Sequence, residues 1–316
     1  MVENLWSSVP HQASGSLAEK GRIENIVRML SQSPTARGLL EKAHEKGIVM
    51  ALSSLASPAN SMLGVPRADS RMLILDPQLD DAACAAQVVQ QLAAGSLYGC
   101  RPATKLSLRA FSLIQHTEIA RAHGAAMTCQ VAHELKEGHS GYRNGAVWQA
   151  VKDANPALAR AYAAAAVPGT EGMGQAAGAA FDVAISDPKA RARTEDQVMN
   201  QLLKFHTDEQ APGILFRTEG NVVASVEKLA LNGEPYVRNP QSLADPKKWA
   251  VDPGTADKIR FFEQLHMPGK VEMDIPVRTG EPQDVQPGGL RGMLGKVFNG
   301  LAVEVAVLYA KPKLQF

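Results

Sequence analysis

The segment His133-Glu134-Leu135-Lys136-Glu137-Gly138-His139 sets two imidazoles and two carboxylates close together, the side-chain types that hold zinc and activate its bound water. The spacing argues against a simple helical site. Histidines six apart differ by about 600°, or about 240° past a full turn, so they share a face only if Gly138 ends the helix and the chain folds back. A helix terminus with solvated His133 and Glu134 is the reading from spacing, and a rearranged zinc centre of His133, Glu134 and His139, aided by His123, is the alternative. His116, His123 and Glu134 also fall on one helical stripe. They span about 10 and 16 Å along the axis, too far for one metal, so the stripe reads as a partly exposed face or a partner contact.

Nucleophilic chemistry finds less support. The sequence has no Gly-x-Ser-x-Gly elbow, and Cys129, beside Ala126, Val131 and Ala132, reads as a buried structural thiol. Gly169-Thr170-Glu171-Gly172-Met173-Gly174 lacks the lysine of a phosphate loop and reads as a turn and helix start. The run Lys189-Ala190-Arg191-Ala192-Arg193 is a solvated basic stretch, with anion binding as its alternative.

Composition narrows the classes. The chain has 316 residues, 45% hydrophobic and 21% charged, enough to bury a full core. Its 33 basic and 32 acidic residues give a net charge of +1, with 17 of each sign from residue 185 onward, so neither part is a polycation and no nucleic-acid footprint is expected. Cys84, Cys100 and Cys129 form no CxxC pair and read as reduced thiols. The first residues lack a signal-peptide pattern, and the apolar stretch 297–310 is too short for a membrane span and carries Glu304. The expectation is a soluble, cytoplasmic protein without a membrane span, with signal-independent secretion leaving no mark in a sequence.

The elements that would position these groups are mostly helical. Residues 1–20 are rich in Ser, Gly and Gln and are expected to fray. Ile23, Ile26, Val27 and Leu30 mark an amphipathic helix, and Ser33-Pro34 opens a second that Gly47 stops. Residues 47–52 and 71–77 read as strands that pair antiparallel. Ala-rich stretches from about 80 to 97, 105 to 138 and 145 to 166 predict long helices, and the small residues of 172–180 predict close helix packing. From 185 the chain is proline-richer, with strand-like pieces at 213–216, 221–224 and 303–307 and an apolar helical stripe over 290–301.

Three segments in this order, Ser33-Pro34-Thr35-Ala36-Arg37-Gly38-Leu39-Leu40, Met72-Leu73-Ile74-Leu75-Asp76-Pro77 and the helix from Asp80, resemble a bacterial metallopeptidase-like family, a domain of unknown function. The resemblance extends from about residue 26 to 166 and includes Trp148 and the stretch Asn155 to Tyr162. It implies a zincin-like core in which one helix carries HExxH and the next supplies acidic ligands. In register, HExxH falls on Gln90-Gln91-Leu92-Ala93-Ala94 and the acidic segment on Arg121-Ala122-His123-Gly124. Amides and alanines supply neither zinc ligands nor a base, so Gln90, Gln91, Ala94, Arg121 and His123 mark a degenerate metal site without a cofactor, zinc entering only in the alternative.

The expected fold class is α+β and predominantly helical. It comprises a flexible N-terminus over 1–20, a metallopeptidase-like helical domain with a small sheet over 21–184, and a mixed, loop-rich C-terminal region over 185–316. The leading expectation is a non-catalytic metallopeptidase-like protein with a protein or ligand partner. The alternatives are a zinc-dependent hydrolase and a secreted effector whose activity lies in the C-terminal region.

Overall fold

The computed structural model describes residues 11–53, 72–96, 108–138, 144–167, 170–207, 219–231, 233–266 and 274–278. Cys100, His139, the strand-like pieces at 213–216 and 303–307, and the stripe at 290–301 lie outside them. The chain divides into two compact units, Met1–Val277 and Arg278–Phe316, and the helices and strands of the described residues belong to the first.

Local signals set the first elements. Strand β1 (Gln12–Ser14) leads into helix α1 (Leu17–Leu30), where Ser16 and Glu19 form a reciprocal capping box. Ordered structure thus starts inside the segment whose composition predicted fraying, because a paired strand and a strong cap hold it. Ile23, Ile26, Val27 and Leu30 are buried as their spacing predicts. Ser33 caps α2 (Pro34–Glu45), and the chain then turns at Gly47, whose φ of 64° suits a residue without a Cβ.

Strands β2 (Val49–Leu52) and β3 (Met72–Leu75) complete a three-stranded sheet of order β1-β2-β3. Both pairings are parallel, Val49 facing Met72 and Leu52 facing Leu75, which corrects the expected antiparallel pair. A hairpin needs only a tight turn, whereas the connection over 53–71 has the length that parallel strands require.

Helix α3 (Asp81–Ser96) follows β3, and Arg22 of α1 ties down the intervening loop through Asp81 at 2.7 Å and the Pro77 carbonyl at 2.9 Å. The centre of the fold is α4 (Ala110–Glu137), buried along nearly its whole length and on most of its circumference. Around it stand α3, α5 (Ala146–Ala154), α6 (Pro156–Ala165), α7 (Thr170–Ile185) and α8 (Pro188–Thr207). The single long helix expected over 145–166 is broken at Asn155-Pro156, where the Asn155 side chain accepts from Leu158 N at 3.1 Å and restarts the helix as α6.

Residues 222–226 form helix α9 (Val222–Val226) instead of a strand, because Asn221 caps Ala224 N at 2.9 Å. A two-stranded antiparallel sheet of β4 (Ala230–Leu231) and β5 (Glu234–Pro235), two short 3-10 turns and α10 (Pro253–His266) complete the described part. The molecule is predominantly helical with a small sheet. No helix among the described residues is long and apolar enough to cross a membrane.

Candidate functional site

Helices α3 and α4 pack face to face where the resemblance places a metal site. They come close together at Gly124: a Cβ there would stand 2.6 Å from the Gln90 carbonyl oxygen and 3.1 Å from Gln90 Cγ. Gln90 therefore meets the long helix through its backbone and side-chain stem. Gln91, one residue on, turns to the sheet, where its Nε2 donates to the Ile74 carbonyl at 3.3 Å. Ala94 is buried.

Arg121 and His123 face other neighbours. Arg121 pairs with Glu118 one turn earlier, Nη2 to Oε2 at 2.7 Å, and donates to the Ala184 carbonyl at the end of α7 at 2.5 Å. Glu118 is 0% exposed, so the guanidinium is its counter-charge and its main hydrogen-bond donor. His123 Nδ1 lies 2.6 Å from the Tyr236 hydroxyl, and Tyr236 packs edge-on against Phe181. Burial lowers the His123 pKa to about 4, which keeps the imidazole neutral at pH 7, and it pushes the Tyr236 phenol far above its usual range. Gln90, Gln91, Arg121 and His123 each serve a separate contact.

The alternative site behaves differently from its solvated expectation. Glu134 is 3% exposed and accepts from Ser33 Oγ, Thr35 N at 3.1 Å, Thr35 Oγ1 at 2.6 Å and Gln130 Nε2 at 2.7 Å. Tyr162 donates to Gln130 Oε1 at 2.6 Å, and burial together with Glu134 pushes its phenol well up. The carboxylate is thus engaged by four donors drawn from α4 and the start of α2. It is buried because the α2 N-terminus docks on this face of α4. His133 points elsewhere, 5.3 Å from the Tyr162 ring and 5.8 Å from that of Trp148, with Nε2 3.9 Å from Glu137. Gly138 closes the helix with φ 78°, as its type predicts.

The histidine stripe is covered from within the chain. His116 is buried against Gly220, with Nδ1 3.3 Å from Ser225 Oγ, and Ser112 accepts from Gly220 N at 3.0 Å. One turn before, Arg109 reaches Glu263 of α10 at 2.5 and 3.1 Å and Glu219 at 3.1 Å. The positions 109, 112, 116 and 123 therefore form a seam on α4 that receives the segment 219–263. This replaces the exposed or partner-facing stripe read from spacing.

Cys84 and Cys129 are free and buried; burial pushes the Cys129 thiol up to about 12, so it is not a nucleophile near neutral pH. Arg191, from the basic run, lies over the Trp249 ring at 5.9 Å and donates to the Ile185 carbonyl at 2.9 Å. Sequence reasoning missed Glu118, Gln130, Tyr236 and the Arg109–Glu263 pair. A buried polar signal was present in the Gln130–Glu134 spacing of i, i+4, but the partners of the others are distant in sequence. Among the described residues no group of three or more His, Cys, Asp or Glu side chains is placed to hold a metal ion.

Comparison of the chain with protein-family models, with curated proteins and with solved structures finds no match in any of the three.

Proposed function

We propose that the protein is a non-catalytic, metallopeptidase-like protein that acts through binding a protein or ligand. The observation that carries this reading is the use made of the expected ligand positions. Gln90 is pressed on Gly124, Gln91 serves β3, Arg121 neutralises Glu118 and His123 meets Tyr236. Amide, methyl and guanidinium groups do not fit zinc, and the one imidazole in the set is committed to a phenol. What the resemblance implies as a reaction centre is here a packed helix pair.

Metal analysis tests the reading directly. The full chain, purified without chelator or affinity tag, is expected to carry far less than one equivalent of zinc. About one tightly held zinc per chain overturns it.

A further inference from the structure

Strand β3 ends the described sheet, and side chains of α3 reach its outer edge. Because Ser53 N donates to the Leu75 carbonyl at 2.9 Å, Leu75 faces β2, and the alternation of a strand turns the backbone groups of Ile74 and Asp76 outward. Two of these outward groups, the Ile74 carbonyl and the Asp76 N–H, are taken by glutamines of α3. Gln91 Nε2 donates to the Ile74 carbonyl at 3.3 Å, and Gln87 Oε1 accepts from Asp76 N at 3.2 Å. The match is geometric: four residues of helix rise about 6.0 Å, and two residues of strand advance about 6.6 Å. The two glutamines thus offer the donor and acceptor that one residue of an added strand would offer.

An open strand edge is a template for pairing with another chain, and proteins close such edges by several means. Primary amides suit the task, since each carries the same donor and acceptor as a peptide group. We propose that Gln87 and Gln91 guard this edge, holding two adjacent hydrogen-bonding groups, the Ile74 carbonyl and the Asp76 N–H, through which β3 would otherwise join the sheet of a second copy of the chain. The role stands on the two hydrogen bonds and is independent of the metallopeptidase reading.

Two double variants of identical composition test it in the full chain. Q87E/Q91K keeps an acceptor opposite Asp76 N–H and a donor opposite the Ile74 carbonyl, whereas Q87K/Q91E reverses both. The reversed variant is expected to exchange its Asp76 amide about tenfold or more faster than the parent and to self-associate with rising concentration in sedimentation. The matched variant is expected to follow the parent in both. Should the reversed pair fail to fold, Q87A/Q91A, which removes both contacts without adding charge, gives the same comparison. If matched and reversed variants behave alike, whether both associate or neither does, the guarding role is wrong.

Discussion

The Ser33 hydroxyl donates to the Glu134 carboxylate while accepting from Ala36 N at 3.0 Å, so one side chain both caps α2 and fastens it to α4. Ser33→Ala loses the cap and one donor to a buried carboxylate. The expected destabilisation is about 2–4 kcal/mol, more than a helix cap alone provides. Urea unfolding checks it, and a loss under about 1 kcal/mol would show that Thr35 and Gln130 suffice for Glu134.

The Glu118–Arg121 pair makes a second, sharper contrast. Arg121→Leu leaves Glu118 buried without its counter-charge and is expected to cost about 3–5 kcal/mol. Glu118→Leu/Arg121→Leu removes both charges and is expected to be more stable than the single variant. Equal stability of the two in denaturant unfolding would mean that the carboxylate finds another partner.

Glycines separate close approach from helix propensity. At Gly124 a methyl group meets the Gln90 carbonyl oxygen at 2.6 Å, so Gly124→Ala must spread α3 from α4. A net loss of about 1–3 kcal/mol is expected despite better helix propensity. Gly38, in α2, has nothing within 4 Å of the same position, and Gly38→Ala is expected to gain about 0.5–1 kcal/mol. Opposite signs in thermal unfolding would support the contact; a stabilising Gly124→Ala would refute it.

Acid should weaken the His123–Tyr236 contact. With the folded pKa lowered to about 4 by burial, and an ordinary value near 6.5 in the unfolded chain, the unfolded state binds more protons between those two values. The contribution is therefore complete above pH 6.5 and lost as pH falls toward 4, reaching about 3 kcal/mol. His116, also lowered by burial, adds in the same direction. His123→Gln is expected to flatten the dependence of unfolding free energy on pH over that interval, and an unchanged slope would assign it to other groups.

The local features of the fold were legible where a single residue type decides them. Ser33-Pro34, Gly47 and Gly138 start or end helices as their chemistry dictates, and the apolar period of 23–30 became a buried face. Pairing was not legible. The direction of β2 against β3 depends on the route of the connection, not on either strand. Asn221 overrode the β-branched residues after it by capping a short helix. At the candidate site, the burial of Glu134 was not legible. Its donors at Ser33 and Thr35 are 101 and 99 residues away, and such partners leave no periodic signal.

The seam on α4 also sets an order of events during synthesis. Arg109 waits for Glu263, which follows it by 154 residues. At about 5–20 residues per second, roughly 8–30 s of elongation separate the two. Until residues 219–236 are made, the nascent helix has α2 and α3 available on one side, while the face bearing Ser112, His116 and His123 lacks the partners it meets at Gly220, Ser225 and Tyr236. The emerging chain therefore passes through a half-clad stage of predictable composition. A ribosome stalled before residue 219 would display it, and factors that shelter unfinished chains would meet this polar, histidine-bearing stripe there.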